Sequence, residues 1–276
     1  MSYYKLLGLT KEPFSNSPDP DFFYESKGHH AVLTSLMIEI RLRRGMSLVL
    51  GDVGAGKTTL SRKLFQMLKT RPDILLHMIL DPGEESEQAF LNSLLRAFNL
   101  PLVAGPFAEL QGREAIKRYL FKKGVEEGIT VVLLVDEAQK LNPMSLEILR
   151  TLLNYETNEY KLLQLVLLAQ MELLPAIRAI RNLWDRISYK HILPPLDVEA
   201  VREMIAFRLR QAGYAYPQPL FSEEAVAEVC RHTQGYPRRI GMLCHNILKA
   251  LVMEGGMVVS EDLVRGVISE QELVSV

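Results

Sequence analysis

The stretch Gly51-Asp52-Val53-Gly54-Ala55-Gly56-Lys57-Thr58 has glycine, four intervening residues, glycine, lysine and threonine in the order of a phosphate-binding loop. Its glycines let the backbone turn sharply and bring successive N–H groups to phosphate oxygens. Lys57 suits the β- and γ-phosphates, and the Thr58 hydroxyl suits Mg2+. A chance match in a chain of this size is expected about 1% of the time at average residue frequencies. ATP with Mg2+ is therefore the expected ligand, and Lys57 is expected to face solvent when the site is empty. A second set of candidates is Asp136-Glu137, directly after the apolar run Val131 to Val135. Asp136 would hold Mg2+ through water, and Glu137 would orient and deprotonate the attacking water. A plain helix cap explains the pair less well, because Asn142-Pro143 already supplies a cap and first residue for the next helix. Gln170 ends another apolar run and is a candidate sensor of the γ-phosphate or the lytic water. Arg238 and Arg239 open a helix, where positive charge opposes the helix dipole, so an anion nearby is expected and a nucleotide phosphate would satisfy it.

These residues need strands that end together and helices that begin there. Ser47 to Leu50 reads as a strand ahead of the loop, and Leu60, Leu64, Phe65 and Leu68 behind it fall at helical spacing. Strands follow at 74–80, 131–135, 161–169 and 187–192, with helices at 84–98, 113–127, 144–155 and 172–180. The unbroken Val131 to Val135 run is typical of a parallel-sheet strand covered on both faces. Leu193-Pro194-Pro195-Leu196 breaks the chain, and helices alone follow, capped by Asp197, Ser222 and Ser260. The expected fold is α/β: a parallel five-stranded sheet with flanking helices, then a small all-helical lid. The expected divisions are an arm and lead helix over 1–45, a nucleotide-binding domain over 46–193 and the lid over 194–276. In the arm, Pro13, Pro18 and Pro20 alternate with Phe14, Phe22, Phe23 and Tyr24, which predicts ordered loop docked on something, either as packing or beside the adenine.

With 276 residues, 48% of them hydrophobic and 24% charged, the chain can bury a sizeable core. The 32 Lys and Arg against 33 Asp and Glu give a net charge of −1, so no global field recruits nucleic acid or anionic membrane. A nucleic acid would need a local patch, for which Arg178, Arg181, Arg186 and Lys190 are candidates, and it is not the favoured partner. Cys230 and Cys244 lack metal-ligand spacing and read as small core residues. The apolar runs are too short to span a bilayer, and the first residues lack a leader pattern, so a soluble, cytoplasmic chain is expected.

Together these stretches resemble the AAA+ ATPases, and within them the ExeA/GspA type of the general secretion pathway. The resemblance runs through Glu12-Pro13-Phe14, Pro18-Asp19-Pro20, the loop from Gly51 to Thr59, Asp136-Glu137-Ala138-Gln139, Asn154-Tyr155-Glu156-Thr157 and Gly235-Tyr236-Pro237-Arg238-Arg239-Ile240. It implies a P-loop NTPase with Walker A residues Gly51 to Thr59 binding ATP and a Walker B pair at Asp136 and Glu137. It also implies a sensor-1 position near Gln170, an arginine finger in the region of Arg186 and a sensor-2 arginine at Arg238. Gln170 departs from the asparagine common in AAA+ proteins. Family members often continue past the lid into a membrane span and a periplasmic peptidoglycan-binding domain. The implied function is ATP hydrolysis, as an energy or assembly module of a secretion apparatus. The implied setting is a homo-oligomer with sites at subunit interfaces, at the inner face of the inner membrane through a partner. Alternatives are a DNA-binding transposition helper or initiator-like ATPase, and a nucleotide-gated interaction switch with little turnover.

Overall fold

The computed structural model describes residues 2–15 and 20–274. Pro18 and Asp19 of the expected Pro18-Asp19-Pro20 stretch lie outside them. In chain order the elements are α1 (Tyr3–Leu6), α2 (Lys27–Arg41), β1 (Met46–Leu50), α3 (Lys57–Lys69), β2 (Ile74–Ile79), α4 (Glu87–Ala97), α5 (Ala108–Phe121) and β3 (Thr130–Val135). They continue with α6 (Pro143–Leu152), β4 (Leu163–Ala169), α7 (Leu173–Ala179), α8 (Arg181–Trp184), β5 (Ile187–Ile192), α9 (Val198–Gln211), α10 (Glu223–Thr233), α11 (Pro237–Glu254) and α12 (Glu261–Val274). The chain falls into two compact units. A helical unit is drawn from Met1–Gly28, Gly54–Thr59 and Pro194–Val276, and a sheet unit from His29–Val53 and Leu60–Leu193. The arm and the lead helix, contiguous in sequence, thus belong to different units.

In the sheet unit the five strands run parallel in the order β2-β3-β4-β1-β5. Every residue of β1, β3 and β4 is buried, whereas β5 alternates. That is the pattern expected of central strands covered on both faces and an edge strand covered on one. Phe90, Leu94, Ile116, Leu120 and Leu149 from the flanking helices join the strand residues in one apolar core. Asn142 caps α6 by accepting from the Ser145 N–H, with Pro143 in its first turn, as the sequence indicates. One helix departs from expectation. The helix expected at 113–127 begins at Ala108 and closes in a π turn, Lys122–Glu126. Gly112 is buried within the helix and faces Val103 and Leu95 at ordinary contact distance, and Gly124 suits the π turn because a side chain there would press on Leu162 at 2.9 Å. On the edge strand, His77 accepts or donates a 2.7 Å hydrogen bond with the Tyr119 hydroxyl, and burial lowers the His77 pKa while raising that of Tyr119 to about 12.

In the helical unit the arm is structural. It is not all loop, since it holds α1 and a 3-10 turn at Pro20–Phe22. Leu9, Phe14 and Phe22 are buried in the core formed by α9 to α12. Arg208 of α9 donates through Nε to the Pro13 carbonyl at 2.8 Å, and its guanidinium lies 5.8 Å from each of the Phe14 and Phe22 rings. Tyr3 and Glu12 both meet His245 of α11 at 2.9 Å. Gly235 fixes the turn into α11: its φ is +72°, and a Cβ there would stand 2.0 Å from the Leu196 carbonyl oxygen. Gly235→Ala combines an unfavourable backbone region with a clash against rigid main chain, so a loss of more than about 2 kcal/mol is expected in denaturant melts. An unchanged melt would mean that the turn relaxes freely.

Candidate functional site

Parallel pairing brings the carboxyl ends of β1, β4 and β3 side by side, with β4 in the middle. The ladder continues one residue beyond the strands: the Gly51 N–H donates to the Ala169 carbonyl at 3.1 Å, and the Asp136 N–H to the Ile79 carbonyl at 2.9 Å. Gln170, directly after β4, therefore sits between the start of the phosphate-binding loop and Asp136. Crevices outside the carboxyl ends of parallel strands are where such sheets bind ligands.

Asp136 is 2% exposed. Its Oδ2 accepts from the Ser61 hydroxyl of α3 at 3.0 Å and its Oδ1 from the Glu137 N–H at 3.0 Å, which fixes the carboxylate plane. Glu137 is half-buried in the left-handed region, φ 51° and ψ 35°, a conformation that costs energy for a residue with a Cβ. Its Oε2 accepts from Gln139 Nε2 at 2.6 Å, and Gln139 Oε1 in turn accepts from the Gln170 N–H at 3.1 Å. One amide side chain thus joins Glu137 to Gln170. Lys140 holds Asp81, at the end of β2, with a 3.0 Å ion pair that keeps the Asp81 carboxyl below the usual carboxylate range.

Within the helical unit, residues 54–59 carry the tip of the loop and the first turn of α3. Gly54 and Gly56 have φ of +84° and +95°, the turn the glycine spacing implies. Lys57 and Thr58 occupy the helix start, where the helix dipole favours an anion. Lys57 does not face solvent as expected; it is 6% exposed. The Arg238 N–H of α11 donates to the Gly54 carbonyl at 3.3 Å, while the Arg238 side chain is exposed. Arg239 turns back over the Tyr236 ring at 5.2 Å and onto the Gln234 amide.

Arg186 is not joined to these groups. It lies half-buried one residue before β5 and donates to the Leu153 carbonyl at 3.5 Å. The expected basic patch is partly committed to an indole: Arg178 and Lys190 lie 5.2 and 4.6 Å from the Trp184 ring. Ser61, which bonds Asp136, was not a candidate from the sequence, and Gln139 stood there only in a stretch that carries the resemblance. Ser61, four residues after Lys57, is a polar residue on the buried face of an amphipathic helix, and that was its available signal.

A phosphate-binding loop, a buried carboxylate at the end of a central strand and a 2-3-4-1-5 parallel sheet define a P-loop nucleotide-site protein. Residues 40–177 match the AAA domain family, and the chain belongs to that family. It is 38% identical to General secretion pathway protein A of Aeromonas hydrophila over 97% of its own length, and spans 47% of that longer protein. Its fold is similar to Cdc6p from Pyrobaculum aerophilum, with a TM-score of 0.65 and 20% identity over 94% of this chain and 70% of that one. The ORC2 protein of Aeropyrum pernix gives 0.63 and 16% over 90% and 68%. At these identities the likeness is one of fold. Among the described residues, no helix is long and apolar enough to cross a membrane.

Proposed function

We propose that this chain binds ATP with Mg2+, hydrolyses it, and works as an energy or assembly module of a general secretion apparatus. The observation that carries the reading is the buried Asp136 carboxylate, oriented by Ser61 of the loop helix and followed by the Glu137–Gln139–Gln170 hydrogen-bond chain. The donor set fits the metal. Thr58 and Asp136 offer hard oxygens, and no cluster of three or more acidic, histidine or cysteine ligands occurs among the described residues. Mg2+ is typically held in that way, by one or two protein oxygens together with substrate phosphates, and when bound it would offset phosphate charge. Backbone N–H groups from Gly51 to Thr59 would cradle the phosphates, and Lys57 would neutralise the β- and γ-oxygens. Glu137, held by Gln139, would orient water and take its proton. Gln170 would align that water or the γ-phosphate, and Arg238 would add a second cation. The ORC2 relative of this fold was solved in ADPNP and ADP complexes, which supports a nucleotide as ligand. The secretion role rests on the 38% identity to General secretion pathway protein A.

Lys57→Ala tests both halves of the reading. Charge-assisted hydrogen bonds contribute about 1.5–3 kcal/mol, so ATP affinity should fall roughly 10- to 100-fold by titration. Because Lys57 is buried, Lys57→Met, which keeps the stem, is the folding control. Cells carrying either variant should retain proteins normally exported to the medium. Wild-type affinity would remove the site assignment, and normal export would remove the secretion role alone. Turnover should also ignore duplex DNA; stimulation that falls steeply with salt would favour the DNA-coupled alternative.

A further inference from the structure

A cavity of about 430 Å3 opens in the helical unit between α9, the loop at 212–222 and the start of α10. Its walls are largely apolar, with Leu209, Tyr214, Phe221 and Val226 among them, and its volume lies in the range of binding pockets. The loop is pinned, so the cavity is pre-formed. The Ala212 carbonyl accepts from the Thr10 N–H at 2.8 Å and from its hydroxyl at 3.0 Å, the Tyr214 hydroxyl donates to the Gln218 carbonyl at 3.0 Å, and the Leu220 carbonyl accepts from Val259 at 2.8 Å.

The polar groups around it are unequal in sign. Arg202 pairs with Glu199 and with Glu223, which uses the one carboxylate lining the cavity. The Arg202 Nε–H is nevertheless buried without an acceptor among the described residues. Arg210 also lines the cavity, is exposed, and makes no ion pair among the described residues. The mouth therefore presents the exposed Arg210 cation above an apolar floor. Tyr216 is 63% exposed beside them. A small molecule filling only the cavity would leave Tyr216 and Arg210 uncovered, whereas a chain segment that inserts a side chain and runs on across the rim covers both.

We propose that this cavity docks a peptide segment of a partner protein, an aromatic or large aliphatic side chain entering it and a neighbouring carboxylate meeting Arg210. The test is selection of phage-displayed random dodecapeptides on the full chain, followed by fluorescence polarisation with the best synthetic peptide. Enriched sequences should pair Phe, Trp, Tyr or Leu with Asp or Glu within two positions. Ala206→Trp, which fills the cavity, and Arg210→Glu, which reverses the rim charge at an exposed site, should each weaken binding by about tenfold or more, with the melting temperature held. No enrichment, enrichment without an acidic residue, or unchanged affinity in Arg210→Glu would each overturn the proposal.

Discussion

Glu137→Gln should bind ATP with wild-type affinity and hydrolyse it about 10²- to 10⁴-fold more slowly, the usual contribution of a positioned general base. The amide keeps the length and shape of the side chain but cannot accept a proton at neutral pH. The left-handed backbone at residue 137 is untouched, and the bond with Gln139 survives through the remaining amide oxygen. Affinity and turnover should therefore separate cleanly. Titration with ATP and single-turnover kinetics measure the two; near-normal turnover would place the base elsewhere.

The second large effect is expected at Arg186. A transition state with charge spread over the γ-phosphoryl oxygens gains roughly 10³- to 10⁵-fold where an arginine is inserted. Among the described residues Arg186 makes one long hydrogen bond, to the Leu153 carbonyl, and lies close enough to Glu156 to help lower its carboxyl pKa, with no bond to Asp136, Glu137 or Gln170. A role in a neighbouring copy's site fits its separation from Asp136, Glu137 and Gln170 better than a role in its own. Arg186→Ala should keep ATP affinity and its melting temperature while turnover collapses, and wild-type specific activity should rise with protein concentration. Mixing Arg186→Ala with Lys57→Ala should restore part of the activity, one chain supplying the intact site and the other the arginine. A mixture no more active than its parts, or turnover independent of concentration, would leave Arg186 as a surface residue beside Asp185.

The sheet was legible because double burial writes itself locally: Val131 to Val135 admits no polar residue, and a strand free of polar residues over that length has few other settings. The loop and the acidic pair were legible because their chemistry demands particular residue types at fixed spacing. What remained hidden depends on contacts between distant segments. Phe14 and Phe22 announced docking, but their partner Arg208 lies almost two hundred positions away, and no local pattern encodes that pairing. Lys57 was expected in solvent because a lone ammonium ordinarily is, and only the folded chain shows it 6% exposed. Gln139 stood in a stretch that carries the resemblance, but its bridging role was hidden, since its two hydrogen bonds reach one group two residues back and another 31 residues on. The start of α5 was placed five residues late, at Arg113 and not Ala108, because its first turn carries no side-chain cap to mark it.

The arm's place in the helical unit bears on how the chain is made. Leu9, Phe14 and Phe22 leave the ribosome well before the α9 to α12 surfaces that bury them, which lie between Val201 and Ile268. At about 5–20 residues per second, those side chains wait roughly 10 to 50 s for their partners. The sheet unit, whose strands are complete by Ile192, can form in the meantime. During that interval the nascent arm is an uncovered apolar segment, and it is the part of this chain that a ribosome-associated chaperone would hold longest.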